Sequence, residues 1–297
     1  MLTFHNIYSE VQEQVQDETT DSLTLIKRAI NQGMKKFANT LNRDWRLTRK
    51  TFSTVASQQF YQFPEDAVRV KTVIIEISDI AYPLQEVVDE EEWNLLNVRG
   101  TQSSDIPEFF FIRGNDEVGI WPIPATAVAS AGTLVYERRV RDMSQDNYTT
   151  GTVTLTNNSA AVTGSSTVFN ANMVGRSLRA DDPAGDGMWY KIASFTSTTA
   201  ITLEQTFGGT TASGLTYVIG ELPDTPEEYH ESLIDYACYR YYLRKKSRSE
   251  ARDMRIAFEN ALEDCKANYS SKTTSQYIGP LKVRNTPFFL QEPPEIS

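Results

Sequence analysis

The hydrophobic period of this chain changes three times along its length, and those changes constrain the fold more tightly than any single motif. Near the start, Leu23, Ile26, Ile30, Met34, Phe37 and Leu41 recur at helical spacing, with Asp21 or Ser22 as the expected cap. A shorter amphipathic piece with Phe4, Ile7, Tyr8 and Val11 precedes them, so two N-terminal helices are expected. From about Trp45 to Val140 short β-type runs take over: TFSTV, QQFYQF, VRVKTVIIEI, PEFFFIR, EVGIWPIP and TLVYERRV, punctuated by Pro and Gly. One interruption, Val88 to Asn97, reads as a short helix whose N-terminus suits Asp89, Glu90, Glu91 and Glu92.

Composition then shifts. Between Tyr148 and Gly220, 22 of 73 residues are Ser or Thr and only seven are charged, which marks a separate module. Six alternating runs, GTVTLT, AAVTG, RSLRA, MWYKIAS, AITLEQ and LTYVIG, are separated by turn chemistry at Asn157-Asn158, Asp182-Pro183-Ala184-Gly185 and Gly208-Gly209, as in a small sandwich or barrel. After Pro223 the helical period returns. Thr225-Pro226-Glu227-Glu228 combines an N-cap Thr, Pro at the first helical position and Glu at the third, and Tyr229, Leu233, Ala237 and Tyr241 follow on one face. A second capping box, Ser247-Arg248-Ser249-Glu250, opens a helix with Met254, Ala257, Phe258, Ala261, Leu262, Cys265 and Tyr269 as its apolar positions.

The expected fold is therefore α+β. Helices from 1–44 and 223–269 form a bundle, 45–147 form a β-rich central region, 148–222 form an inserted Ser/Thr-rich β-sandwich-like or barrel domain, and 270–297 form an extended C-terminal arm. A chain of 297 residues with 40% hydrophobic and 23% charged residues has the composition of a folded globular protein. No apolar run approaches the roughly 20 residues of a membrane span. The first residues carry neither a basic n-region nor an apolar h-region, so no signal peptide is expected and a reducing compartment is the default. Cys238 lies nine residues before the helical turn near Ser247 and Cys265 eighteen after it. At about 1.5 Å per residue that is a mismatch of roughly 13 Å, too far for a disulfide, and both read as core residues.

Net charge of −10 removes the diffuse positive field that a general polyanion binder needs. Chemistry-bearing patterns are sparse. His5 sits near a terminus expected to fray, and His230 reads as part of a solvated helix face, without the second His of a zinc-protease motif. No nucleophile elbow, GxxxxGK[ST] or GxGxxG is present. Asp181, Asp182 and Asp186 lack the alternation and terminal Glu of an EF-hand loop, so a hairpin turn is the better reading. Consecutive carboxylates from Glu86 to Glu92 diverge around a helix, which disfavours acid–base work by Glu91 and Glu92. No catalytic, cofactor-binding or metal-binding residue is assigned. Arg240, Arg244, Lys245, Lys246, Arg248, Arg252 and Arg255 do form a basic patch around the helical hairpin, interleaved with Tyr236, Tyr239, Tyr241 and Tyr242, a mixture favoured at protein interfaces.

The order of residues resembles that of tailed-bacteriophage head-to-tail adaptor (connector) proteins. The resemblance runs through Trp45-Arg46, Thr51-Phe52, Gln59-Phe60-Tyr61-Gln62-Phe63-Pro64-Glu65-Asp66, Arg69-Val70, Tyr82-Pro83-Leu84, Glu92-Trp93, Pro107 to Ile112 and Gly119 to Pro124, then the closing hairpin. It covers most of 20–147 and 223–269, while the Ser/Thr-rich insert is an addition to a minimal adaptor. The resemblance implies a non-enzymatic virion neck protein, assembled in the host cytoplasm. It would form a ring, commonly of twelve copies, that binds the portal protein, meets tail or nozzle proteins and passes DNA without sequence-specific contact. On that reading Arg240, Arg244, Arg248, Tyr277, Phe288 and Phe289 are candidate partner contacts, and Glu90, Glu91 and Glu92 candidate channel-lining acids. The alternative of a virion surface or fibre protein rests on glycan binding by Trp189, Tyr190 and Tyr217.

Overall fold

A computed structural model describes residues 1–41, 46–98, 103–104, 106–114, 116–181 and 185–270. Two helices, α1 (Phe4–Val15) and α2 (Thr20–Thr40), lead into the strands β1 (Leu47–Thr54), β2 (Phe60–Gln62), β3 (Ala67–Ile77), β4 (Ile80–Pro83) and β5 (Gln85–Val87). Helix α3 (Glu90–Val98) precedes β6 (Ser103–Ser104), β7 (Phe109–Arg113), β8 (Glu117–Trp121), β9 (Ile123–Pro124) and β10 (Val128–Arg138). The Ser/Thr-rich stretch supplies β11 (Thr152–Leu155), β12 (Ala161–Ser165), β13 (Ser177–Ala180), β14 (Tyr190–Ser197), β15 (Ala200–Leu203), β16 (Ala212–Leu215) and β17 (Tyr217–Gly220). Helices α4 (His230–Arg244) and α5 (Arg248–Ser270) follow.

The fold is mixed α+β, and its terminal helices share one apolar core. Phe4, Ile7 and Val11 of α1, Ile26, Ile30, Met34 and Phe37 of α2, Leu233 and Ala237 of α4, and Phe258 and Cys265 of α5 are all buried in the same cluster. Helical spacing puts each of these sets on one stripe, so sealing the stripes together removes them all from water. Phe37 meets Phe258 edge-on at 5.3 Å. Gly33 lets α2 and α4 approach, since a Cβ there would stand 3.0 Å from the Tyr236 ring. Cys238 and Cys265 are free and buried.

Local signals fared unevenly. Thr3 accepts from the Asn6 N–H at 3.2 Å and caps α1, which is packed along its length and carries His5 in a contact with the Tyr8 hydroxyl, so this end is anchored where fraying was expected. Helix α2 starts behind Thr19, leaving Asp21 and Ser22 inside its first turn; the nearby Asp17 carboxylate instead accepts from Thr19 and Ser22. Thr225 does not cap α4. Its hydroxyl is buried, and Glu227–Tyr229 form a 3₁₀ turn before α4 begins at His230. Ser247 and Glu250 do meet at the start of α5, through a short hydroxyl–carboxylate contact. On α5, Ala251 is buried and Ala257 exposed.

Residues 47–138 build two four-stranded sheets, ordered β1-β10-β3-β4 and β2-β8-β7-β5, with a small parallel pair β6-β9. The two sheets bury one cluster between them: Val70, Val73 and Ile75 of β3 and Leu134 and Tyr136 of β10 face Tyr61, Phe110, Val118 and Ile120. β4 and β5 escape a reading from alternation because they are short and expose most of their residues.

The Ser/Thr-rich stretch forms a single seven-stranded sheet, ordered β16-β11-β12-β15-β14-β13-β17. Six strands are expected here; the run LTYVIG divides at Thr216, with Leu215 ending β16 and Tyr217 starting β17. These two strands occupy opposite edges yet are one residue apart in sequence. The sheet therefore curls into a half-barrel, with the two edge strands joined through Thr216, around Leu155, Phe169, Leu178, Ile192, Phe207 and Ile219. Among the described residues, no helix is long and apolar enough to cross a membrane.

Candidate assembly surfaces

A junction segment, residues 139–148, ties the helices to the curled sheet, and it does so with polar groups. Asn31 on α2 grips the Met143 backbone at both ends, accepting from its N–H at 2.9 Å and donating to its carbonyl at 2.8 Å. The Asp146 carboxylate accepts from the Tyr8 hydroxyl at 2.7 Å and the Lys27 ammonium at 2.8 Å. Those bonds, Lys27 foremost, hold its carboxyl below the usual range, while burial and the Asp146 bond push the Tyr8 phenol up. Buried Glu221 accepts from the N–H groups of Ser144 and Gln145, and its own carbonyl accepts from the Phe4 N–H at 2.8 Å. Arg176 donates to the carbonyls of Asp146 and Ile219, and burial lowers its pKa.

Beside this segment, Arg138 at the end of β10 forks onto the Asp224 carboxylate, with one bond of 2.7 Å, and that bond raises its pKa. Lys35 pairs with Asp142 at 2.7 Å. A cleft of about 910 Å³ opens here between Glu65, Arg139, Arg141, Lys191 and Asp224. None of these residues stands out in the sequence by motif. The usable signal is position: Arg138, Glu221 and Asp224 fall where one periodicity gives way to the next.

The basic patch divides once its geometry is seen. Lys245 reaches the Asp17 carboxylate at 3.2 Å, which also accepts from the Tyr241 hydroxyl at 2.7 Å, and Arg255 pairs with Glu259 at 2.7 Å. Hydrogen bonds from Thr19, Ser22 and Tyr241 hold the Asp17 carboxyl far below its ordinary range. Arg240 is half-buried beside Tyr236. Arg244, Lys246, Arg248 and Arg252 are exposed and make no ion pair with any described residue. The free positive charge thus concentrates at the tip of the hairpin.

Opposite in sign is α3. Trp93 is the buried residue of this helix, stacked on Phe111 at 5.3 Å and edge-on to Phe60 at 6.4 Å. The Asp89 carboxylate accepts from the Glu91 N–H at 2.9 Å and covers the helix start. Glu90, Glu91 and Glu92 all lie in the first turn and are exposed. Negative charge at that end is stabilised by the helix dipole.

His230 corrects the expectation of a solvated face. It is 2% exposed; its Nδ1 accepts from the Leu2 N–H at 3.2 Å, and its Nε2 lies 3.1 Å from the Thr225 carbonyl, which makes Nε2 the protonated nitrogen. Of the insert's aromatics, Tyr190 and Tyr217 are core residues, the first donating to Asp186 and the second to the Thr150 carbonyl at 2.7 Å. Trp189, the third aromatic named for glycan binding, is half-exposed, under the Arg179 guanidinium at 4.8 Å. Asp181 is occupied by Arg179. Asp182, Tyr277, Phe288 and Phe289 lie outside the described residues. Among the described residues, no group of three or more His, Cys, Asp or Glu is placed to hold a metal ion.

No curated protein matches the chain. The family model described as SU10 adaptor protein matches residues 3–162, from the start of α1 through the first strands of the curled sheet, without reaching the α4–α5 hairpin. That match spans more than half of the 297 residues and takes in both sheets of the central region. The chain belongs to the SU10 adaptor protein family and is a bacteriophage head-to-tail adaptor.

Proposed function

We propose that the chain assembles as a ring, of twelve copies, that joins the portal vertex of the head to the tail and continues the DNA channel between them. The family match is the observation that carries this reading. The helical bundle of 1–44 and 223–269 forms the body of the ring. The central region 45–147 and the inserted domain 148–222 project from it. The portal protein and the tail or nozzle proteins are the partners, and the protein acts structurally, without catalysis.

The charge balance supports the same reading. With a net charge of −10, a ring of such chains lines a conduit with like charge, so the duplex slides through without being held. The C-terminal arm, 270–297, with Tyr277, Phe288 and Phe289, docks on the portal or an adjacent subunit. The hairpin tip, with Arg244 and Arg248 exposed and Arg240 behind them, meets an acidic protein neighbour.

Mass measurement of the purified full chain, with and without its portal protein, tests the proposal. The expected result is a monomer alone and a closed oligomer on the portal. A chain that stays monomeric, or that binds the portal as single copies, overturns it.

A further inference from the structure

Two exposed faces of this chain complement one another in both charge and apolarity. On α3, Glu91, Leu95 and Val98 stand at i, i+4 and i+7, on the side of the helix away from buried Trp93. Leu95 is 62% exposed and Val98 82% exposed, so this outer face is acidic at its N-terminal end and apolar at its C-terminal end. On α5, Arg248, Arg252 and Ile256 stand at i, i+4 and i+8, a stripe that turns from basic to apolar over the first nine residues of the helix, before Glu259 and Glu263 continue the same face. Ile256 is 45% exposed, and neither arginine pairs with a described carboxylate.

We infer that the outer face of α3 in one copy docks on the Arg248–Arg252–Ile256 stripe of α5 in a second copy of the chain. Laid parallel, the helices bring Glu91 against Arg252 and Leu95 against Ile256, four residues further along each helix, with Glu92 on the flank of the acidic end and Arg248 one turn before Arg252. Each contact then joins a basic or apolar group to its complement, whereas each face left in water exposes large aliphatic side chains on a helix. Burying Leu95 and Ile256 against one another removes both from water, which drives association. Opposed charges set the register and exclude wrong pairings more than they add affinity.

The contact is heterologous, because the two faces are different surfaces of the same chain. Heterologous contacts build rings when their rotation closes and filaments when it does not. This inference rests on the proposed ring and names its subunit contact. It also gives the α3 carboxylates a protein neighbour in place of the channel wall.

Native mass measurement of four full-length proteins on the portal tests it: the unaltered chain, Glu91→Arg with Glu92→Arg, Arg248→Glu with Arg252→Glu, and all four substitutions together. All sites are exposed, and an unchanged melting temperature verifies folding. Each pair of reversals alone is expected to weaken oligomer formation at least about tenfold, and the combination to recover most of it. A ring that forms equally well in both reversed proteins overturns the contact and leaves the ring standing. Loss in the Arg248/Arg252 protein with no recovery in the combination also overturns it, assigning the hairpin to the portal instead. An unaltered chain that never self-associates overturns ring and contact together.

Discussion

The backbone N–H of Leu2 donates to Nδ1 of His230, 3.2 Å away and 228 positions along the chain. The Met1 ammonium pairs with Glu227 on the same side, and the Phe4 N–H reaches the Glu221 carbonyl. The extreme N-terminus is thus stitched to the start of α4, and the neutral imidazole is the knot.

Burial lowers the pKa of His230 below its ordinary 6.5. The unfolded chain therefore takes up a proton at higher pH than the folded chain does. This stabilisation is complete above pH 6.5 and is lost as pH falls from 6.5 through the folded value, at most about 1.4 kcal/mol per pH unit. His230→Gln, which keeps a neutral donor and acceptor, is expected to flatten the melting-temperature profile between pH 7.5 and 5. Carboxylates with lowered values, such as Asp17 and Asp146, titrate further down and leave this window unaffected. Equal slopes for the two proteins contradict the assignment.

Glu221 satisfies two amides that no helix or strand serves. Glu221→Ala leaves the Ser144 and Gln145 N–H groups without their acceptor and is expected to cost about 2–4 kcal/mol. Glu221→Gln keeps an acceptor oxygen and costs less than half as much. Denaturant unfolding of both variants measures the difference, and hydrogen exchange at Ser144 and Gln145 localises it.

Trp93 anchors α3 through its stack on Phe111. Trp93→Ala is expected to destabilise the protein by about 3 kcal/mol or more. Gly119 leaves room for that ring: a Cβ there would stand 2.9 Å from Trp93 and 2.8 Å from Phe60. Gly119→Ala then forces both rings to move, at about 1–3 kcal/mol. Combining it with Trp93→Ala is expected to cost less than the sum, because the smaller side chain removes one of the two clashes.

Removal of residues 271–297 tests the role proposed for the arm. Chain stability is expected to be unchanged, because among the described residues α1, α2, α4 and α5 bury one continuous apolar cluster, while particle assembly falls. Unaltered assembly counts the arm out of the interface.

How much of this was legible beforehand depended on the range of the interaction. Phe4, Ile7, Tyr8 and Val11, or Leu233, Ala237 and Tyr241, declare one buried face by spacing alone, and each is buried or packed there. Alternation likewise marked β3 and β10, whereas β4 and β5, short and mostly exposed, carried no pattern to read. Capping signals were weaker guides: Ser247 and Glu250 opened α5 as their spacing suggested, but Thr225 lost its role when a 3₁₀ turn intervened. The exposed residues of the basic patch and of α3 were named from composition, yet composition could not say that Lys245 and Arg255 are neutralised within the chain while Arg248 and Arg252 are not.

The sequence by itself determined which of the longer stretches are helical and which extended, where composition changes, and that the chain carries net negative charge, because these depend on neighbours within a few positions. Tertiary structure alone decided that His230 is buried against Leu2, that Glu221, Asp146 and Asn31 hold one junction segment, and that the insert curls into a half-barrel with β16 and β17 at opposite edges. The reason is physical. A polar side chain takes its meaning from the partner that replaces water, and here those partners come from 112 positions away for Asn31, from 76 and 77 for Glu221 and, at Nδ1 of His230, from 228.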